Sequence, residues 1–108
     1  MKYAGYKCNI LVNKVSLVDG QIRVHPEGLS GTVIATPWST KKSGEVDSTL
    51  LARILVEPDG TLGEVIFGLT QLKDQMITVP SSGKTKLSLE VQIGHYKPKL
   101  VCERKLVE

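Results

Sequence analysis

A phosphate cradle, a metal centre and a nucleophile each need particular residues at particular spacings, and this chain holds fragments of all three. Ser82-Gly83-Lys84-Thr85 matches the end of a phosphate-binding loop, but Thr78 stands where that pattern needs its first glycine. Such a loop works because its backbone N–H groups open a helix, and strand-forming residues follow here, so the fragment reads as a β-turn. The two histidines, His25 and His95, have no cysteine beside them, and His25-Pro26-Glu27 brings no second ligand pair, so no metal is expected. Ser30, in Gly28-Leu29-Ser30-Gly31, falls one residue short of a Gly-x-Ser-x-Gly elbow. No carboxylate sits in an apolar run that would raise its pKa for acid–base work. The expectation is a protein without catalytic residues or cofactor.

Contact chemistry is better represented. In Pro37-Trp38-Ser39-Thr40-Lys41-Lys42 the sole tryptophan stands among polar residues. Tryptophan gives a large rigid contact with one N–H donor, so Trp38, Lys41 and Lys42 are candidate partner-binding residues. The competing expectation is that Trp38 folds back and caps the core. A second group, Lys84, Lys86, His95, Tyr96, Lys97 and Lys99, interleaves cations with an aromatic and could hold phosphates while stacking a base. Its two lysine pairs flank one strand and would lie roughly 20 Å apart, so they need not form one patch.

The elements that must position these residues read as β. The chain has 108 residues, with 27 β-branched side chains against three alanines. β-branched side chains are stiff at χ1 and suit a pleated surface. Residues 6–18 read as one or two strands, and residues 15–25 as a hairpin about Asp19-Gly20. Residues 32–36 form a short strand and 37–49 a long polar surface loop. Residues 50–57 and 61–67 pair about Pro58-Asp59-Gly60. Leu69, Leu72 and Met76 mark one short helix over residues 69–76. Strands follow at 77–79, 87–93 and 100–107, the last mixed enough in composition to suggest an edge. At an offset of 40, Asp19-Gly20 falls on Asp59-Gly60, a hint of duplication that local turn chemistry explains as well. The predicted core faces are Ile10/Val12, Ile22/Val24, Ile54/Val56 and Leu87/Leu89/Val91/Ile93. The fold class is a single all-β domain over residues 1–108, a small antiparallel β-sandwich or β-barrel of about eight short strands.

Charge and cysteine content narrow the function. The net charge is +3 with a pI near 8.9, modest for a chain whose binding is dominated by phosphate. No stretch approaches the ~18 apolar residues of a membrane span, and Lys7 and Asn9 interrupt the place where a signal peptide has its apolar centre. A cytoplasmic protein, or part of a virion or other intracellular assembly, is expected, with Cys8 and Cys102 reduced. The two thiols would meet only if the first and last strands were neighbours. The function that fits is a non-catalytic protein–protein interaction or assembly module, such as a viral or phage structural subunit, an inhibitor or an adaptor. It would dock on a protein partner, or on further copies of itself, through a surface loop or edge strand. The alternative is a small basic β-barrel binding nucleic acid through Lys41, Lys42, Lys84, Lys86, Lys97 and Lys99.

Overall fold

The excess of Val, Ile and Thr is spent on eight antiparallel strands. In the computed structural model these are β1 (Tyr3–Val12), β2 (Val15–Arg23), β3 (Ser30–Trp38), β4 (Ser48–Val56), β5 (Leu62–Leu69), β6 (Ile77–Val79), β7 (Lys86–Glu90) and β8 (Lys99–Val107). The structure describes residues 3–25, 27–70, 76–81 and 83–107. No helix occurs among them; the helix expected over 69–76 centres on residues 71–75, outside the described residues, while Leu69 itself ends β5. Two four-stranded sheets form, in the orders β2-β1-β8-β7 and β3-β4-β5-β6. Within the second sheet the strands follow chain order, β2 packs on β3 between the sheets, and β8 returns to pair with β1.

Alternation builds one core between the sheets. Tyr6, Cys8 and Ile10 of β1, Ile22 of β2, and Leu100 and Cys102 of β8 face Ile34 of β3, Leu50 to Val56 on alternate positions of β4, and Leu62, Val65, Phe67 and Leu69 of β5. Val24, Leu87, Leu89 and Ile93 pack on this cluster only in part. A side chain ties the sheets at one end: the buried Tyr6 hydroxyl donates 2.5 Å to the carbonyl of Gly60, in the β4–β5 turn. Burial pushes the Tyr6 pKa up, and nearby Arg104 partly offsets this.

Several expectations are corrected by this arrangement. Asp19-Gly20 does not turn the chain; it lies inside β2, and the β1–β2 turn is Asn13-Lys14, with φ of 51° and 67°. Two successive left-handed residues are the signature of a type I′ turn. Gly20 serves a different need, because a Cβ there would overlap Cγ2 of Ile34 where β2 packs on β3. Asp59-Gly60 does form a turn, with Gly60 at φ 91°, so the two dipeptides do unlike jobs and duplication loses its support. Gly20→Ala is expected to cost about 1–3 kcal/mol through overpacking at this seam, read as a lower denaturation midpoint. A midpoint equal to wild type would mean β2 and β3 part freely.

The last strand is central, between β1 and β7, not at an edge. Its mixed composition is a period of two: Leu100 and Cys102 point inward, Val101, Glu103 and Lys105 outward. The strand expected over 87–93 ends at Glu90, although its hairpin continues to the tip through Val91 and Ile93. Finally, Cys8 and Cys102 are not reduced thiols. They are direct cross-strand partners with Cα atoms 4.1 Å apart and are joined as a disulfide across 94 positions of sequence. Pairing of the first strand with the last creates this contact, which sequence proximity could not reveal.

Candidate binding site

The Asn13-Lys14 turn, the β3–β4 loop and the β7–β8 hairpin tip gather at one end of the sandwich. The register of β3 on β4 runs without a break from Ser30↔Val56 to Trp38↔Ser48, so Trp38 falls on the inward side at the strand end. The polar interval expected over 37–49 is therefore shorter: Pro37 and Trp38 belong to β3, Ser48 and Thr49 to β4. Across from it, Ile93 and Tyr96 exchange backbone hydrogen bonds of 2.9 and 3.0 Å around Gly94-His95. Gly94 has φ 60°, the first central position of a type II′ turn, where glycine is favoured.

This places Tyr96 against Trp38, ring centroids 5.6 Å apart and planes at 89°. Edge-to-face contact of this kind is worth ~0.5–1.5 kcal/mol beyond area burial. Trp38 also packs against the core, as the capping expectation required, while Tyr96 remains 49% exposed. Together with Ile93 the two rings floor an open cleft of about 590 Å3, whose walls include Lys41, Lys42 and His95. Among the described residues no carboxylate lines it. Under the strand ends, the buried Ser48 hydroxyl, opposite Trp38, has no hydrogen-bond partner among the described residues.

The β3–β4 loop is held in shape by its own polar residues. Asp47 accepts a 2.8 Å hydrogen bond from the Thr40 amide and another from the Thr40 hydroxyl, and the Asp47 amide donates 3.2 Å to the carbonyl of Trp38. Lys41 pairs with Glu45 at 3.5 Å, an exposed contact that adds little. The Thr40 bonds hold the Asp47 carboxyl below the ordinary aspartate value of 3.8. A depressed pKa means that the loop tether is present at neutral pH and is lost as pH falls through the folded-state value. The Thr40 amide resonance is expected to titrate with a midpoint below 3.8; a midpoint at or above it would remove Asp47 as the tether.

No protein-family model, curated protein or solved structure matches the chain. The site is therefore read from its own residues. The structure brings Trp38, Lys41, Lys42, His95 and Tyr96, from the two sequence-predicted groups, into one cleft. Lys97 and Lys99 line a neighbouring concavity of about 440 Å3 with Leu11, Lys14 and Glu90. Lys84 and Lys86 lie at the far end, where the Lys84 carbonyl accepts from Leu62 and Lys86 faces Glu103. Among the described residues no group of three or more His, Cys, Asp or Glu side chains is placed to hold a metal, and no helix is long and apolar enough to cross a membrane.

Sequence reasoning missed Ile93 as part of the floor and Asp47 as the loop's tether. It also missed the contrast between the two outer sheet faces. The outer face of β2-β1-β8-β7 carries Lys7, Lys99, Lys105 and Lys86 among Glu90 and Glu103, whereas that of β3-β4-β5 carries mainly Val33, Ala35, Leu51, Leu55 and Ile66. A signal was available in β4, whose Leu50-Leu51-Ala52 and Ile54-Leu55-Val56 are apolar on successive positions, as in strands covered on both faces.

Proposed function

We propose that this chain is a non-catalytic protein-docking module whose end cleft takes an apolar or aromatic side chain of a partner segment with acidic flanks. The observation that carries the reading is the joining of Trp38, Tyr96 and Ile93 into a cleft walled by Lys41 and Lys42 and, among the described residues, lined by no carboxylate. A half-exposed aromatic floor supplies the desolvated anchor contact of a hot spot, and the surrounding charges select an acidic partner and speed its approach. A viral or phage structural subunit, an inhibitor or an adaptor would each use such a site. The Cys8–Cys102 bond supports action in an oxidising compartment or at a virion surface over a reducing cytoplasm.

Trp38 fluorescence with peptides selected from a displayed library tests the reading. Selected peptides should pair an apolar anchor with Asp or Glu and perturb Trp38 emission. Tyr96→Ser should weaken them by about 2 kcal/mol, and Lys41→Glu with Lys42→Glu should mainly slow association. Binding that leaves Trp38 emission unchanged and tolerates Tyr96→Ser would place docking elsewhere.

The nucleic-acid reading draws support from the lysines on the outer face of β1 and β8, Lys7, Lys99 and Lys105, with Lys97 at the adjoining turn. Against it, Lys84 and Lys86 are separated from Lys41 and Lys42 by the length of the sandwich, and Glu90 and Glu103 interrupt the face. A labelled single-stranded oligonucleotide decides the matter: binding that falls steeply with salt and is lost on reversing Lys7 and Lys105 would favour this reading.

A further inference from the structure

The outer face of β3, β4 and β5 presents apolar side chains to solvent. Register places Val33, Ala35, Leu51, Leu55 and Ile66 outward on three adjacent strands. Val33 is 57% exposed. Glycines flank Leu55 on both neighbouring strands. Leu55 lies over two glycines, since a Cβ on Gly31 would sit 2.7 Å from Leu55 Cδ2 and one on Gly63 would sit 3.3 Å from Leu55 Cβ. The β4–β5 register shifts beside Leu55, between Ile54 and Val56, so the sheet bends there, and the apolar stretch on either side is of the kind that another sheet covers when laid across it about 10 Å away.

At the margin of this face the Glu57 carboxylate lies beside Gly63 and accepts a hydrogen bond from the Ser81 hydroxyl, and within the face stand Arg53 on β4 and Glu64 on β5, both exposed. No ion pair joins either to another described residue. Their opposite signs make the face self-complementary, because a two-fold axis in the plane of contact can carry Arg53 of each copy to Glu64 of the other. The opposite sheet cannot serve as the covering surface, since Lys7, Lys99, Lys105 and Glu103 would be stranded against leucines. From these observations we propose that a second copy of this chain covers the face, giving an isologous dimer packed sheet on sheet. Three strands about 25–30 Å long give a footprint of roughly 400 Å2 per copy, about 800 Å2 in total and below the ~1,200–2,000 Å2 of stable interfaces, so the dimer is weak and concentration-dependent.

Sedimentation equilibrium from about 1 to 300 µM, the range in which an interface of that size associates, reads the proposal. Wild type should pass from monomer to dimer across it. Val33→Lys, at an exposed position that leaves the core untouched, should raise the dissociation constant at least tenfold while circular dichroism stays unchanged. Arg53→Glu and Glu64→Arg should each weaken the dimer, and the two together should restore it. A monomer throughout, or a dimer indifferent to Val33→Lys, overturns the proposal. Failure of the double reversal to recover affinity overturns the two-fold pairing. Tyr96→Ser should leave self-association intact, which separates this face from the end cleft.

Discussion

Loss of the Cys8–Cys102 bond is expected to remove about 3–5 kcal/mol of unfolding free energy, a large share of the ~5–15 kcal/mol typical of a small domain. The bond closes 94 positions of sequence, so in the chain-entropy picture it excludes most of the extended conformations the unfolded chain would otherwise visit. Cys8→Ala with Cys102→Ala also removes two fully buried sulfur atoms, which adds a small cavity term to the loss. Chemical denaturation should then show a lower midpoint together with a steeper dependence on denaturant, because the uncrosslinked chain exposes more surface when it unfolds. An unchanged midpoint would mean that closure of β1 on β8 is already secured by the strand ladder alone.

Phe67→Ala is expected to cost about 3–5 kcal/mol, the range for removing a buried aromatic from a packed core. Phe67 is 0% exposed and stands between Ala52 of β4 and Ile77 of β6. Ala52 is too small to move into the vacated volume, so the cavity term should be near its upper end. Leu89→Ala is the natural comparison. Leu89 only partly packs on the core from short β7, and its loss should be closer to about 1–2 kcal/mol, below the full-burial cost. Equal losses at the two positions would show that β7 is more deeply covered than its exposure indicates.

The contrast between those two residues marks how far the sequence can be read. Alternation correctly turned Ile10, Ile22, Ile54, Val56 and Val91 inward, yet it carries no information about distance from the centre, so Leu87 and Leu89 were ranked with residues far more deeply buried. Turn chemistry located Pro58-Asp59-Gly60, where the chain does reverse, and misplaced the first turn. Asp-Gly outranks Asn-Lys on local preference, and the demand on Gly20 came from Ile34 on a strand of the other sheet. The candidate site was legible as parts. Trp38 and Tyr96 were each singled out for their chemistry, but their contact depends on β3 ending beside the tip of the β7–β8 hairpin, a property of the sandwich as a whole. The cysteines show the same limit: two thiols far apart in the chain gave no sign of meeting until β8 was placed beside β1.

The Cys8–Cys102 bond makes the polypeptide between those residues a covalent ring, closed where β8 pairs with β1. A ring has no privileged opening. One peptide bond severed in the exposed Lys41-Lys42 stretch would divide the polypeptide without dividing the molecule, because both pieces remain bonded through sulfur and zipped to each other through adjoining strands. The same closure makes the order of synthesis interchangeable in principle. Tyr3 and Val107 already pair across β1 and β8, so a short linker between them with new ends opened in the β3–β4 loop would encode the same sandwich from a different starting residue.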